Sequence, residues 1–191
     1  MTPEQFSSRF CLYNLQNNKP ITRFEPNSKT QNAAVLVPVI KRPTGLTLLF
    51  TQRAKHMRHH PGQISFPGGK ADPDDHSLTF TALRETYEEV GIDETKITTL
   101  GWLPSFQTIS NFSLHPLVGL IEDISDLTLN PGEVDNAFEV PLTHFTNRDN
   151  HHIISPYVNN TKHPVHFMPY QGKLIWGATA AIIDQLILHF E

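Results

Sequence analysis

Three carboxylates spaced by one helical turn carry the strongest chemical signal in this chain. Within Phe66–Ile92, Glu85, Glu88 and Glu89 follow Arg84 and precede Gly91. On a helix from Ser77 to Val90, turning about 100° per residue, the three glutamates share one side with Arg84 on its flank, and Phe80, Leu83, Tyr87 and Val90 fall on the other. Glu85 and Glu89 are one turn apart, where like charges mildly destabilise a helix. A hard, oxygen-seeking cation between them reverses that sign. Just upstream, Gly68-Gly69 reads as a tight turn that can bring a backbone carbonyl near the helix and add an oxygen ligand for Mg²⁺ or Mn²⁺. Three glutamates alone are ordinarily a solvated face. The glycine pair, acidic spacer and glycine stop together favour a metal site.

A second group of chemical residues precedes the glycines. Arg53, Lys55, His56, Arg58, His59 and His60 form a basic cluster. Guanidinium groups match phosphate oxygens in bidentate geometry, so Arg53 and Arg58 are the expected phosphate clamps. The histidines lack a further ligand pattern for zinc and read as loop residues.

These residues need a scaffold. Pro3–Leu15 reads as a helix capped by Thr2, followed by a polar connector with Pro20 and Pro26. Ala33–Ile40 and Leu46–Gln52 read as strands of a hairpin, and Ile64–Phe66 as a short strand entering the glycines. After the glutamate helix, strands are expected at Lys96–Ser105, Ser113–Ile121, Asp135–Val140, His152–Ser155, Val165–Tyr170 and Leu174–Trp176. A single turn of helix is expected at Leu142–Phe145 and a closing helix at Ala178–Phe190. Strands flanked by helices imply a mixed sheet between helical layers. Residues 1–32 read as a helix and connector belonging to the same domain as 33–191.

Composition narrows the partners. With 191 residues, 38% hydrophobic content and 15 prolines, one loop-rich globular domain is expected. The net charge of −4 gives no basic footprint for nucleic acid. An acidic protein that handles phosphates needs metal ions to offset repulsion. Cys11 is the single cysteine, which excludes an internal disulfide and a cysteine-based zinc cluster. The N-terminal stretch has no apolar signal core, and the longest apolar run, Ala33–Ile40, is too short to span a bilayer. The expected location is cytoplasmic, with no membrane partner.

The glutamate segment resembles the Nudix box, in which Gly, five residues, Glu and seven residues lead to Arg-Glu-apolar-x-Glu-Glu-x-Gly-apolar. Gly69, Arg84, Glu85, Glu88, Glu89, Gly91 and Ile92 match it. Asp75 stands where Glu is expected, the spacer after it is one residue longer, and Thr86 replaces an apolar residue. Asp75 is read as a cap or loop residue with little catalytic weight. The preceding stretch resembles the motif of the coenzyme A pyrophosphatase branch: Leu49, Thr51, Arg53, Ala54, Arg58, Gly62 and Phe66-Pro67-Gly68-Gly69 match, with Phe50 in place of Leu. The C-terminal IWGATAAII is also similar to that branch.

The resemblance implies an α/β fold, a Nudix-type α/β/α sandwich with a mixed β-sheet. It implies hydrolysis of the diphosphate of coenzyme A or acyl-CoA, dependent on Mg²⁺ or Mn²⁺, to 3′,5′-ADP and 4′-phosphopantetheine. Metal ligands are then Glu85 and Glu89, with Glu88 as a further or alternate ligand and the Gly69 carbonyl as a backbone ligand. Arg84 orients a glutamate. Nudix enzymes often draw a further glutamate from a later loop as ligand or base, and Glu133 is the candidate, with Glu139 read as structural. The alternatives are a Nudix hydrolase of ADP-ribose or a dinucleotide, and an inactive Nudix-fold binding module. Partners are the small-molecule substrate and, at most, a second copy of the chain.

Overall fold

The computed structural model describes residues 1–17, 30–108, 110–158 and 161–190. Helix α1 (Pro3–Asn17) starts at Thr2, whose hydroxyl accepts from the Gln5 N–H at 3.2 Å. Strands β1 (Gln31–Arg42) and β2 (Gly45–Arg53) form the expected hairpin, longer than their apolar runs. Next come β3 (Ile64–Ser65), β4 (Gly68–Lys70) and α2 (Leu78–Val90). They are followed by β5 (Ile97–Trp102), β6 (Phe106–Gln107), β7 (Phe112–Ile121) and β8 (Val134–Pro141). Then come α3 (Leu142–Thr146), β9 (His152–Ile154), β10 (Tyr157–Val158), β11 (Thr161–Lys162), β12 (Val165–Tyr170), β13 (Lys173–Trp176) and α4 (Gly177–Ile187).

The main sheet has eight strands. β1 lies at its centre, antiparallel to β2 and parallel to β7, so the sheet is mixed. Alternation along β1 sends Val37 and Val39 into one apolar cluster and Ala34 and Leu36 into another. The first cluster contains Phe6 and Phe10 of α1 and Ile182, Ile183 and Leu186 of α4. The second contains Ala82 and Val90 of α2. The sheet therefore lies between helical layers, the expected α/β/α arrangement. A smaller sheet of β9, β12 and β13 and a hairpin of β10 and β11 complete the fold. That hairpin was not foreseen, because its strands are too short to show alternation. Among the described residues no helix is long and apolar enough to cross a membrane.

Two local readings need correction. Gly68-Gly69 is not a tight turn but part of β4, paired with Ala34 and Val35 of β1. The buried side of α2 is also not the predicted one. Tyr87 is 58% exposed, while Thr81, Ala82, Thr86, Glu89 and Val90 are buried. Thr86 tolerates this because its hydroxyl donates to the Ala82 carbonyl at 2.7 Å, leaving its methyl to pack.

Candidate active site

The site forms where α2 crosses the start of β4. Ser77 caps α2, its side chain accepting from the Phe80 N–H, and Gly91 ends the helix at φ 72°. The helix rotation fixed by these ends turns Glu89 inward, where it is only 3% exposed. One of its oxygens, Oε2, has no hydrogen-bond partner. Burial pushes the Glu89 carboxyl up to about 8, against the pull of Arg53, and the nearby Glu85 and Glu133 charges raise it further. Glu85 is raised in the same way, by burial first, with Glu88 and Glu133 adding to it. Glu133 thus joins the two box glutamates, although it lies more than forty positions further along the chain.

Backbone bonds explain how it arrives there. The Glu89 and Val90 carbonyls at the end of α2 accept from the Asn130 and Thr128 N–H groups, both at 3.0 Å. The Asn130 carbonyl accepts in turn from Glu133 N–H at 3.0 Å, and the Glu133 carbonyl accepts from Ala54 N–H at 2.8 Å. The loop before β8 is therefore clamped between the helix end and the segment after Arg53. Glu139 is held elsewhere: it pairs with Arg42 at 2.6 and 3.0 Å and accepts from the Thr47 hydroxyl.

Arg84 lies beside the carboxylates and organises them. It contacts Glu85 and Glu88, each at 3.0 Å, and forms a two-point pair with Asp75 at 3.0 Å per bond. The Asp75 side chain is 4% exposed and also accepts from the Thr81 hydroxyl and the Asp72 N–H. The Arg84 bonds hold its carboxyl far below the usual carboxylate range. Asp75 is therefore neither a helix cap nor a solvated loop residue, because the guanidinium draws it inward. Glu88 is the most solvent-facing of the three box glutamates, its side chain 48% exposed.

The glycines have separate roles. Leu36 N–H donates to the Pro67 carbonyl and Ala71 N–H to the Asn32 carbonyl, each at 2.9 Å. In the alternating antiparallel pattern, Ala34 and Gly69 are then a bonded pair and Val35 and Gly68 are not. The Gly69 carbonyl faces β1, whereas the Gly68 N–H and carbonyl face away from it, and the Gly68 N–H lies on the Glu89 side, where its dipole slightly opposes the rise of the Glu89 carboxyl. The backbone group turned toward the carboxylates is therefore that of Gly68, not of Gly69 as the sequence suggested. Gly69 is needed for another reason: a Cβ there would lie 2.5 Å from the Glu85 carboxyl carbon.

The basic segment divides. Arg53 Nη1 lies 3.8 Å from Glu89 Oε1, and Arg53 lines a pocket of about 700 Å³ that begins at Gly68. His59 and His60 also line it. Arg58 is exposed and is not among the lining residues, so the structure separates the two expected clamps. His56 turns instead to the Gly132 carbonyl at 3.2 Å. The pocket walls include Val35, Phe66, Phe106, Leu114, Trp176 and Ile182, so the main sheet, β13 and α4 all contribute.

The donor set fits a hard divalent cation. Buried carboxylates crowd together, and one of their oxygens lacks a partner. A different polar group, His151, His166 and Asp184, has ligand atoms within 4.8 Å of one another. There Arg148 already contacts Asp184 at 2.8 Å and His151 Nδ1 at 3.2 Å, and the two histidines bond at 2.9 Å. That network ties the segment just before β9, and β12, to α4.

The NUDIX domain sequence model matches residues 30–159. The chain is 42% identical over 174 residues to a Photorhabdus laumondii protein named uncharacterized Nudix hydrolase NudL, covering 91% of each chain. Among solved structures, the NUDIX domain of Shewanella oneidensis NrtR complexed with ADP-ribose is similar with TM-score 0.58 at 16% identity, over 100% of both chains. A C. elegans Ap4A hydrolase is similar with TM-score 0.51 at 23% identity, covering 58% of this chain and 80% of that one. At these identities the structural likenesses speak to the fold alone.

Proposed function

We propose that this chain, which belongs to the Nudix hydrolase family, cleaves the diphosphate of coenzyme A or acyl-CoA. Water adds to one phosphorus, the bridging P–O bond breaks, and the products are 3′,5′-ADP and 4′-phosphopantetheine or its acyl form. The observation that carries this reading is the junction of two features. The carboxylate cluster opens at Gly68 and Arg53 into a largely apolar pocket of about 700 Å³. The residues at the junction belong to the Leu49–Gly69 motif.

Glu85 and Glu89 would hold Mg²⁺ or Mn²⁺, with Glu88, Glu133 and the Gly68 carbonyl as the further oxygens within the same cluster. Such an ion, when bound, neutralises diphosphate charge and lowers the pKa of bound water. The protein's own groups do the rest. Arg84 keeps Glu85 and Glu88 in place and is itself fixed by Asp75. Arg53, between Glu89 and the pocket, meets phosphate oxygens. Glu133 serves as a further ligand or as acceptor of the water proton. The reading places the enzyme in the cytosol, supported by a single free cysteine, Cys11.

The test is a hydrolysis panel of coenzyme A, acetyl-CoA, ADP-ribose and a dinucleoside polyphosphate with Mg²⁺ or Mn²⁺, products identified by mass. Coenzyme A and its acyl form are expected to be cleaved only with metal. Efficient turnover of ADP-ribose or the dinucleotide with coenzyme A untouched would assign the site to that substrate class instead.

A further inference from the structure

The titratable residues described along the pocket are all basic: Arg53, His59, His60, Lys162 and His163. No aspartate or glutamate is among them, although the chain carries a net charge of −4. Arg53 belongs to the carboxylate end, within 3.8 Å of Glu89. The other four come from elsewhere. His59 and His60 lie in the loop between β2 and β3, which is closed by bonds from Arg53 N–H to Gln63 carbonyl and from Gly62 N–H to Arg53 carbonyl. His60 is held at φ 55°, a conformation uncommon outside glycine. Lys162 ends β11, and His163 follows it.

Among the described lining residues, Lys162 is the only one besides Arg53 that bears an ammonium or guanidinium group. Among the described residues it has no carboxylate partner, and its ammonium sits 5.5 Å from the centroid of the Tyr157 ring. Stacking of this kind positions the cation while leaving its N–H groups open to an acceptor. A substrate anion at the carboxylate end is met by Arg53, so a cation on a separate hairpin implies a second anion on the same ligand. Coenzyme A carries a ribose 3′-phosphate apart from its diphosphate; ADP-ribose and dinucleoside polyphosphates do not.

We propose that Lys162, assisted by His163, His59 and His60, forms a second anion subsite that takes the ribose 3′-phosphate of the nucleotide. This inference rests on the coenzyme A reading above and names the group that sets its specificity. Its test is calorimetric titration of the protein with 3′,5′-ADP and with 5′-ADP, without turnover. A charge-assisted contact of this type corresponds to about a tenfold or larger preference for 3′,5′-ADP. Lys162→Ala is expected to remove that preference, and Lys162→Arg to retain most of it. Equal affinities in the unaltered protein, or a preference that survives Lys162→Ala, would overturn the subsite. The ratio of kcat/KM for coenzyme A over 3′-dephospho-coenzyme A should fall by a similar factor in Lys162→Ala. If neither coenzyme is hydrolysed while the 3′,5′-ADP preference holds and depends on Lys162, the substrate reading fails and the subsite stands.

Discussion

Burying a carboxylate to 3% exposure, with one oxygen unpartnered and other carboxylates beside it, is unfavourable for a folded protein lacking a cation at that point. Glu89 is in that position, and its cost is relieved by a ligand rather than by packing. Glu89→Gln keeps the shape and removes one charge, so turnover should fall by about 10²-fold or more. Stability without metal should hold, because burial already raises the metal-free Glu89 carboxyl to about 8 and the amide replaces a largely protonated group. Near-normal activity at limiting Mg²⁺ would take Glu89 out of the site. Glu133 and Glu139 provide the matched comparison. Glu133→Gln should lower kcat strongly and alter its dependence on pH and metal concentration. Glu139→Gln should leave turnover close to that of the unaltered protein while weakening the tie between β8 and the β1–β2 hairpin, since Glu139 is spent on Arg42 and Thr47. The reverse pattern would exchange their roles.

At the scale of elements, the site depends on how α2 is anchored to the loop before it. Asp75 and Arg84 pair at two points, and Thr81 adds a third bond from the first turn of the helix. Asp75→Asn removes the charge and leaves Arg84 with Glu85 and Glu88 at 3.0 Å and Asp72 at 3.8 Å. Because Arg84 keeps those partners and reaches solvent, the loss lies between that of an exposed pair and that of a fully buried one, about 2 kcal/mol at neutral pH. The sign with pH follows from the direction of the shift. The folded carboxyl lies below its unfolded value of about 3.9, so its contribution is present above that value and fades as the pH falls through the folded one. Chemical denaturation of both proteins should show a gap at pH 7 that narrows below about pH 4. A gap constant down to pH 2 would mean that packing, not the ion pair, holds the loop.

At the scale of the molecule, three separated parts of the chain meet at one point: β4, α2 and the loop before β8. Ligand binding at such a point is folding energy for all three. At a concentration 100 times its dissociation constant, a cation adds about 2.7 kcal/mol, so Mg²⁺ should raise the thermal midpoint by roughly 5–10 °C for a chain of this length. The double variant Glu85→Gln, Glu89→Gln should show no such rise. An equal rise in both proteins would place the cation elsewhere, with the His151–His166–Asp184 network as the next location to examine.

The sequence by itself determined what is local. The start and stop of α2 follow from Ser77 and Gly91, the one-turn spacing of Glu85 and Glu89 from helix geometry, and the β1–β2 hairpin from two apolar runs around Pro43-Thr44-Gly45. These depend on residues close in the chain, and motif resemblance was enough to reach the family. Tertiary structure decided what depends on meeting across distance. Which face of α2 is buried could not be read from its apolar residues, because Thr86 hides its hydroxyl on Ala82 and Tyr87 is left in solvent. Asp75 becomes an anchor only once Arg84 reaches it. Gly68 rather than Gly69 faces the carboxylates because the register with Ala34 and Val35 alternates the bonding direction of successive residues. Arg53 and Arg58 look equivalent as letters, but only Arg53 lies at the end of a strand that enters the pocket. Lys162 carried no sequence signal at all. Its place comes from a two-residue strand, too short for any periodic pattern, and only the tertiary structure puts it on the same pocket as residues of α4 and the main sheet.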